Sequence, residues 1–158
     1  LAGYKEALLA NGLKINEDYI RHCFYGGMVF PEIEEVVNKL FTLKQRPDAV
    51  FTTSDSLTTG CLKTLSRRLI KVPDDIALVG FSNTDLAELI NPPLTLIRQP
   101  AEDMGRAATE LLLQLIESKR PIKDFEKRVL TPELQIRGSS VPVETGPSVL
   151  IKKQRTGV

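Results

Sequence analysis

Residues 47–56, Pro-Asp-Ala-Val-Phe-Thr-Thr-Ser-Asp-Ser, run a short continuous set of β-formers straight into three consecutive helix-capping side chains. A run without polar alternation predicts a strand buried on both faces, as in a parallel sheet. Ser54, Asp55 and Ser56 can each accept a hydrogen bond from an otherwise unpaired N–H, so a helix is expected to start directly after the strand. Leu57, Cys61, Leu65 and Leu69 then recur every four residues as its core face. Val72-Pro73-Asp74-Asp75 is a turn, and residues 76–81 form the next apolar strand. Strand, helix and strand joined by short links predict an α/β fold, a parallel sheet covered by helices.

The same alternation extends upstream. Pro31 opens a helix whose buried stripe is Ile33, Val36, Val37, Leu40 and Phe41, with Glu32, Glu34 and Glu35 loading its N-terminal turn. Residues 19–25, bounded by Asp18 and Gly26-Gly27, predict a strand. Residues 1–13 predict a helix with Leu1, Tyr4 and Leu8 on one face, closed by Asn11-Gly12 with Leu13 completing the cap. Downstream the rhythm changes. A polar loop at 82–85, a short apolar turn at 86–90 and the stiff Asn91-Pro92-Pro93 precede a strand at 94–99. A helix over 100–117 follows, lined by Met104, Ala108, Leu111, Leu112 and Leu115 and stopped by Lys119, Arg120 and Pro121. Residues 127–137 predict a strand that Pro132 confines to a bulge or an edge. Residues 139–158, rich in Gly, Pro, Ser and basic side chains, predict a flexible tail.

At 158 residues the chain suits one compact domain. Its 21 basic and 20 acidic residues leave a formal charge of +1, and 42% hydrophobic content is ordinary for a globular protein. No segment reaches the roughly 18 apolar residues of a membrane span. Cys23 and Cys61 lack metal-ligand spacing and predict free thiols in a reducing cytoplasm. The chain begins Leu-Ala-Gly rather than with Met, so it reads as a fragment or a processed product. His22 is the sole histidine and falls within the strand predicted at 19–25, which suits a sheet position better than a metal site or a catalytic triad. There is no nucleophile elbow, phosphate loop or dinucleotide fingerprint, so no enzyme, cofactor or metal is expected. Direct nucleic-acid contact is equally unsupported: Arg67-Arg68 with Lys71 suits a solvated helix end, and Lys152-Lys153 with Arg155 falls in the tail.

In an open parallel sheet, ligands bind beyond the carboxyl ends of the strands. Three loops leave such ends, at 25–30, 52–56 and 82–85. They bring short hydroxyl, amide and carboxylate groups together with Tyr25 and Phe30, the chemistry of a pocket for a small polar solute. Capping explains Ser54 and Asp55 equally well.

Six segments, in order, carry a resemblance: Leu-Ala-Gly-Tyr-Lys-Glu-Ala-Leu (1–8), Pro-Asp-Ala-Val-Phe-Thr-Thr-Ser-Asp (47–55), Val-Pro-Asp-Asp-Ile-Ala-Leu-Val-Gly-Phe (72–81), Pro-Pro-Leu-Thr-Leu-Ile-Arg-Gln-Pro (92–100), Met-Gly-Arg-Ala-Ala (104–108) and Pro-Glu-Leu-Gln-Ile-Arg (132–137). Over about residues 1–140 the chain resembles the effector-binding region of the lac/galactose repressor (LacI/GalR) family of bacterial transcription regulators. The resemblance implies a type I periplasmic-binding-protein-like fold of two α/β lobes closing on a ligand. Within residues 1–138, a partial effector-binding and dimerisation domain, it makes 1–90 most of the C-terminal lobe. It assigns 94–120 to a return into the N-terminal lobe and 127–138 to a closing strand. The helix-turn-helix that binds operator DNA would precede Leu1, as would the first strand of the lobe, which leaves apolar faces in need of a partner.

By resemblance, the ligand site falls on Asp55, which matches the family, and on Ser54, Ser82 and Asn83, where this sequence departs from an Asn before the Asp and an Asp after Gly-Phe. The aromatic position of the family aligns with Gly27, so Tyr25 or Phe30 would substitute. The implied homodimer face takes Leu57, Leu86, Leu89 and Ile90, which could equally be core. The implied action is cytoplasmic and allosteric: a sugar-like effector resets the lobes and so the DNA-binding heads. A periplasmic sugar-binding protein of a transporter shares the fold and is the alternative.

Overall fold

A computed structural model describes residues 1–118 and 126–141. Helix α1 (Ala2–Ala10) and a 3₁₀ turn at Glu17–Tyr19 lead to helix α2 (Phe30–Thr42). Strand β1 (Ala49–Thr52), helix α3 (Asp55–Arg67) and strand β2 (Ala77–Phe81) form the expected βαβ unit. A 3₁₀ turn at Asp85–Glu88, strand β3 (Thr95–Arg98), helix α4 (Ala101–Glu117) and strand β4 (Glu133–Gln135) complete the order. The four strands lie side by side in sequence order; β1, β2 and β3 are parallel, and β4 closes the far edge antiparallel to β3.

The core lies between the sheet and the α2–α3 pair: Ile33 and Val37 meet Cys61, Leu65, Ile76, Leu78, Leu94 and Leu96. Two glycines permit this closeness. A Cβ on Gly60 would lie 2.5 Å from Ile33 Cδ1, where α3 crosses α2, and one on Gly80 would lie 2.6 Å from Thr58 Cγ2, where α3 rests on β2.

The C-terminal boundary of α1 follows the sequence closely. Gly12 takes a φ of +69°, and the Leu13 N–H bonds the Leu8 carbonyl while the Gly12 N–H bonds that of Leu9, the two bonds of a Schellman cap. Pro31 is the second residue of α2 rather than the first.

Several expectations are corrected. Residues 19–25 are not a strand: Ile20 is extended, but among the described residues no strand lies beside this segment, and a strand without a ladder has no paired backbone. His22 accordingly sits exposed in irregular chain. Strand β1 is an edge with Phe51 46% exposed, not a strand buried on both faces. Leu69 is not on the core face of α3. The helix ends at Arg67, Leu69 adopts a left-handed φ of 57° in a second Schellman cap, and its side chain is 87% exposed.

Helix α4 buries none of its residues, and Met104, Leu112 and Leu115 all face outward. The strand expected over 127–137 is confined to β4, starting just after Pro132. Ser139 belongs to the fold rather than to a tail: it is 1% exposed, its Oγ donates to the Leu78 carbonyl at 2.6 Å, and it accepts from the Thr95 N–H at 2.8 Å. Ser140 joins it through Thr95 Oγ1 at 2.7 Å. The rest of the predicted tail from 142 onward, and the helix stop at 119–121, fall outside the described residues. No helix among those residues is long and apolar enough to cross a membrane.

Candidate effector site

The carboxyl ends of β1 and β2 come together because only two residues separate β1 from α3, which lies directly on Gly80. Ser54 caps α3, its Oγ accepting the Leu57 N–H at 3.3 Å. Beneath the cap, Thr58 Oγ1 donates to the Ser54 carbonyl at 2.7 Å and pairs with Thr52 Oγ1 at 2.8 Å, which fixes the strand-to-helix turn. Asp55 is then the first residue of α3, exposed, with its carboxylate at the helix end where the dipole favours an anion.

Ser82 leaves β2 beside it. Its hydroxyl donates to Asp55 Oδ1 and accepts the Thr84 N–H at 3.1 Å, and the residue is 2% exposed. Ser82 therefore anchors one oxygen of Asp55, while Asp55 Oδ2 has no partner among the described residues and the residue is exposed. That oxygen can accept hydrogen bonds from hydroxyl or N–H groups of a solute.

Asn83 is paired at both ends of its amide. Nδ2 donates to the Gln99 carbonyl at 3.0 Å, and Oδ1 accepts the Gln99 N–H at 2.8 Å. Nothing in the sequence announces this pairing, because the two residues are 16 apart and only the sheet order brings them together. Arg98 and Asp85 form an ion pair at 3.2 Å alongside. A recess of about 200 Å³ opens at this exit, between Arg98, Gln99 and Pro100 on one side and Thr131, Glu133 and Gln135 on the other.

The third loop folds onto the same end. Gly27 is buried with a φ of +83°, and a Cβ there would meet Leu57 Cδ2 at 3.0 Å, so the loop rests against the start of α3. Glu32 holds its backbone by accepting the Phe24 N–H at 2.6 Å and the Tyr25 N–H at 3.4 Å. The Tyr25 ring is left 62% exposed. Phe30 is half-buried and turned elsewhere: its ring lies 4.1 Å from Lys63 Nζ, with the Arg67 guanidinium at 5.0 Å, a cation–π arrangement between α2 and α3.

The groups gathered at the strand ends are carboxylate, hydroxyl and amide side chains, and the two thiols of the chain lie elsewhere. Burial pushes the Cys61 thiol up to about 12, and burial followed by the Glu32 charge raises Cys23 as well, so neither favours the nucleophilic thiolate. Among the described residues no cluster of His, Cys, Asp and Glu could hold a metal ion.

Known proteins share this architecture. Residues 1–140 match the periplasmic binding protein-like domain family. The HTH-type transcriptional repressor PurR of Vibrio parahaemolyticus is 38% identical over 141 residues, covering 88% of this chain and 40% of that protein. The HTH-type transcriptional repressor CytR of Escherichia coli K12 is 36% identical over 140 residues, covering 89% and 40%. A LacI-family transcriptional regulator from Lactobacillus casei, solved with bound sucrose, superposes with a TM-score of 0.65 at 31% identity, over 88% of this chain and 50% of that one. This chain thus spans about 40% of the length of the repressors it matches. With that match over most of its length, the chain belongs to the periplasmic-binding-protein-like domain family, and its relatives include transcriptional repressors and a LacI-family regulator.

Proposed function

We propose that this chain is the effector-sensing and dimerisation module of a bacterial DNA-binding transcription regulator, answering to a sugar or a related small polar metabolite. The observation that carries this reading is Asp55: an exposed carboxylate beyond the ends of two parallel strands, anchored by the buried Ser82 and with one oxygen open. Asp55 accepts from ligand hydroxyls, and the exposed Tyr25 offers a ring face to the ligand. Ser54 and Asn83 shape the rim through their backbone-directed bonds, and Phe30 anchors the loop that carries Tyr25. The chain acts by binding, not turnover, in the cytoplasm. Operator DNA is contacted by the helix-turn-helix of the whole regulator, and effector occupancy changes the angle between lobes.

The test is a thermal-shift titration of the whole regulator against sugars, sugar phosphates and purines. A concentration-dependent stabilisation by one class, lost in Asp55→Ala, supports the reading. No shift with any class, or a shift that Asp55→Ala leaves intact, overturns the site.

A homodimer through the 86–90 segment is part of the proposal. Leu86 and Leu89 are 62% and 81% exposed, whereas Leu57 and Ile90 pack against the core. Leu89→Asp should convert dimer to monomer in sedimentation velocity with its circular dichroism unchanged. A dimer that persists in this variant argues for another face.

A further inference from the structure

We infer that Asn83 is a positioning residue that latches the loop after β2 to the exit of β3, so that the state of Asp55 is felt at the root of α4. The inference rests on the reading of Asp55 as an effector contact, and deepens it by naming how occupancy leaves the site.

The chain of contacts is short and polar. Asp55 takes the Ser82 hydroxyl; the next residue, Asn83, grips both backbone groups of Gln99 at 3.0 and 2.8 Å. Two residues beyond Gln99, α4 begins. An amide side chain bonding one residue's N–H and C=O together mimics a rung of a sheet, and it does so just past Arg98, where β3 ends. The loop between these anchors is itself tied down, by Ser82 Oγ to the Thr84 N–H and by the Asp85–Arg98 ion pair. A segment fastened at Asp55, Asn83 and Asp85 moves as a unit. Among the described residues no α4 side chain is fully buried, and Glu110 of the helix pairs with Arg128 at 2.7 Å. Small shifts at Asp55 therefore reach the root of α4 through Asn83. Sequence position alone hides this, because an Asn in a polar loop reads as a turn residue.

The test needs no ligand, so its failure is separable from failure of the effector reading, which the thermal-shift titration judges by itself. Amide hydrogen exchange at Gln99 is measured in the 158-residue chain and in Asp55→Ala, Asn83→Ala and the double variant. The Leu78 amide, bonded to the Ser139 carbonyl inside the sheet, serves as reference for global unfolding. Each single substitution is expected to speed Gln99 exchange roughly tenfold relative to Leu78, and the double variant no more than either single one. The conservative Asn83→Asp, which keeps the acceptor for the Gln99 N–H, is expected to restore most of the protection. The Met104 methyl in the first turn of α4 supplies a spectroscopic signature. It should shift in Asp55→Ala, and the same substitution should leave it unmoved in the Asn83→Ala background. Gln99 exchange indifferent to Asp55, effects that multiply in the double variant, or a Met104 methyl that ignores Asp55 would each overturn the latch. Should Asp55→Ala also speed Leu78, Ser82→Ala replaces it with the same expected outcomes.

Discussion

Single residues here bear consequences that their neighbours do not. Leu69 holds a left-handed backbone conformation with its side chain in water, so it bears the steric cost of that conformation without compensating burial. Leu69→Gly should stabilise the chain by about 1 kcal/mol, read as a higher urea midpoint. Ser139 is the opposite case. Its hydroxyl satisfies the Thr95 N–H and the Leu78 carbonyl at once, and Ser139→Ala should cost about 2 to 4 kcal/mol because two buried groups lose their partner. Cys61 adds a pH dependence. Its thiol is raised from 9.0 to about 12 in the fold, so above pH 9 the unfolded chain releases a proton that the folded chain retains. The stabilisation is complete below about pH 9 and is lost as pH rises toward 12, at about 1.4 kcal/mol per pH unit. Between pH 8 and 10.5 the urea midpoint should therefore fall more steeply in the parent than in Cys61→Ala.

At the scale of elements, the α2–α3 contact is set by Gly60. Gly60→Ala forces its methyl onto Ile33 Cδ1 and should cost about 1 to 3 kcal/mol despite Ala's better helix propensity. Ile33→Val removes that atom, and the double variant should recover part of the loss in the same denaturation experiment. The βαβ unit was legible because its signals are local: Ser54 does cap α3, and residues 76–81 do yield β2. What depended on distant partners was not. Residues 19–25 have the composition of a strand and lack a ladder, and Ser139 has the composition of a tail and sits between two strands. The site divides the same way. Asp55 and its loop could be placed from strand ends alone, but the burial of Ser82, the turn of Phe30 toward Lys63 and the grip of Asn83 on Gln99 are all products of tertiary contact.

At the scale of the molecule, the core of the described residues lies between the sheet and the α2–α3 pair, while α4 and Phe51 of β1 expose apolar side chains. Leu112→Lys with Ile116→Lys on α4 should leave the unfolding free energy within about 0.5 kcal/mol, because neither side chain packs on the core. The pair should also lower dye binding to exposed apolar surface. A large loss of stability would mean that α4 is covered after all.

The return of Ser139 to the sheet also has a consequence for synthesis. Thr95 and its hydrogen-bond partner Ser139 are 44 residues apart. At an elongation of about 5 to 20 residues per second, the ribosome needs about 2 to 9 seconds to make that stretch. Throughout that interval β2 and β3 are already in existence with their seam unsealed, so the nascent chain passes through a stage in which the centre of its future sheet is open to water and to chaperones.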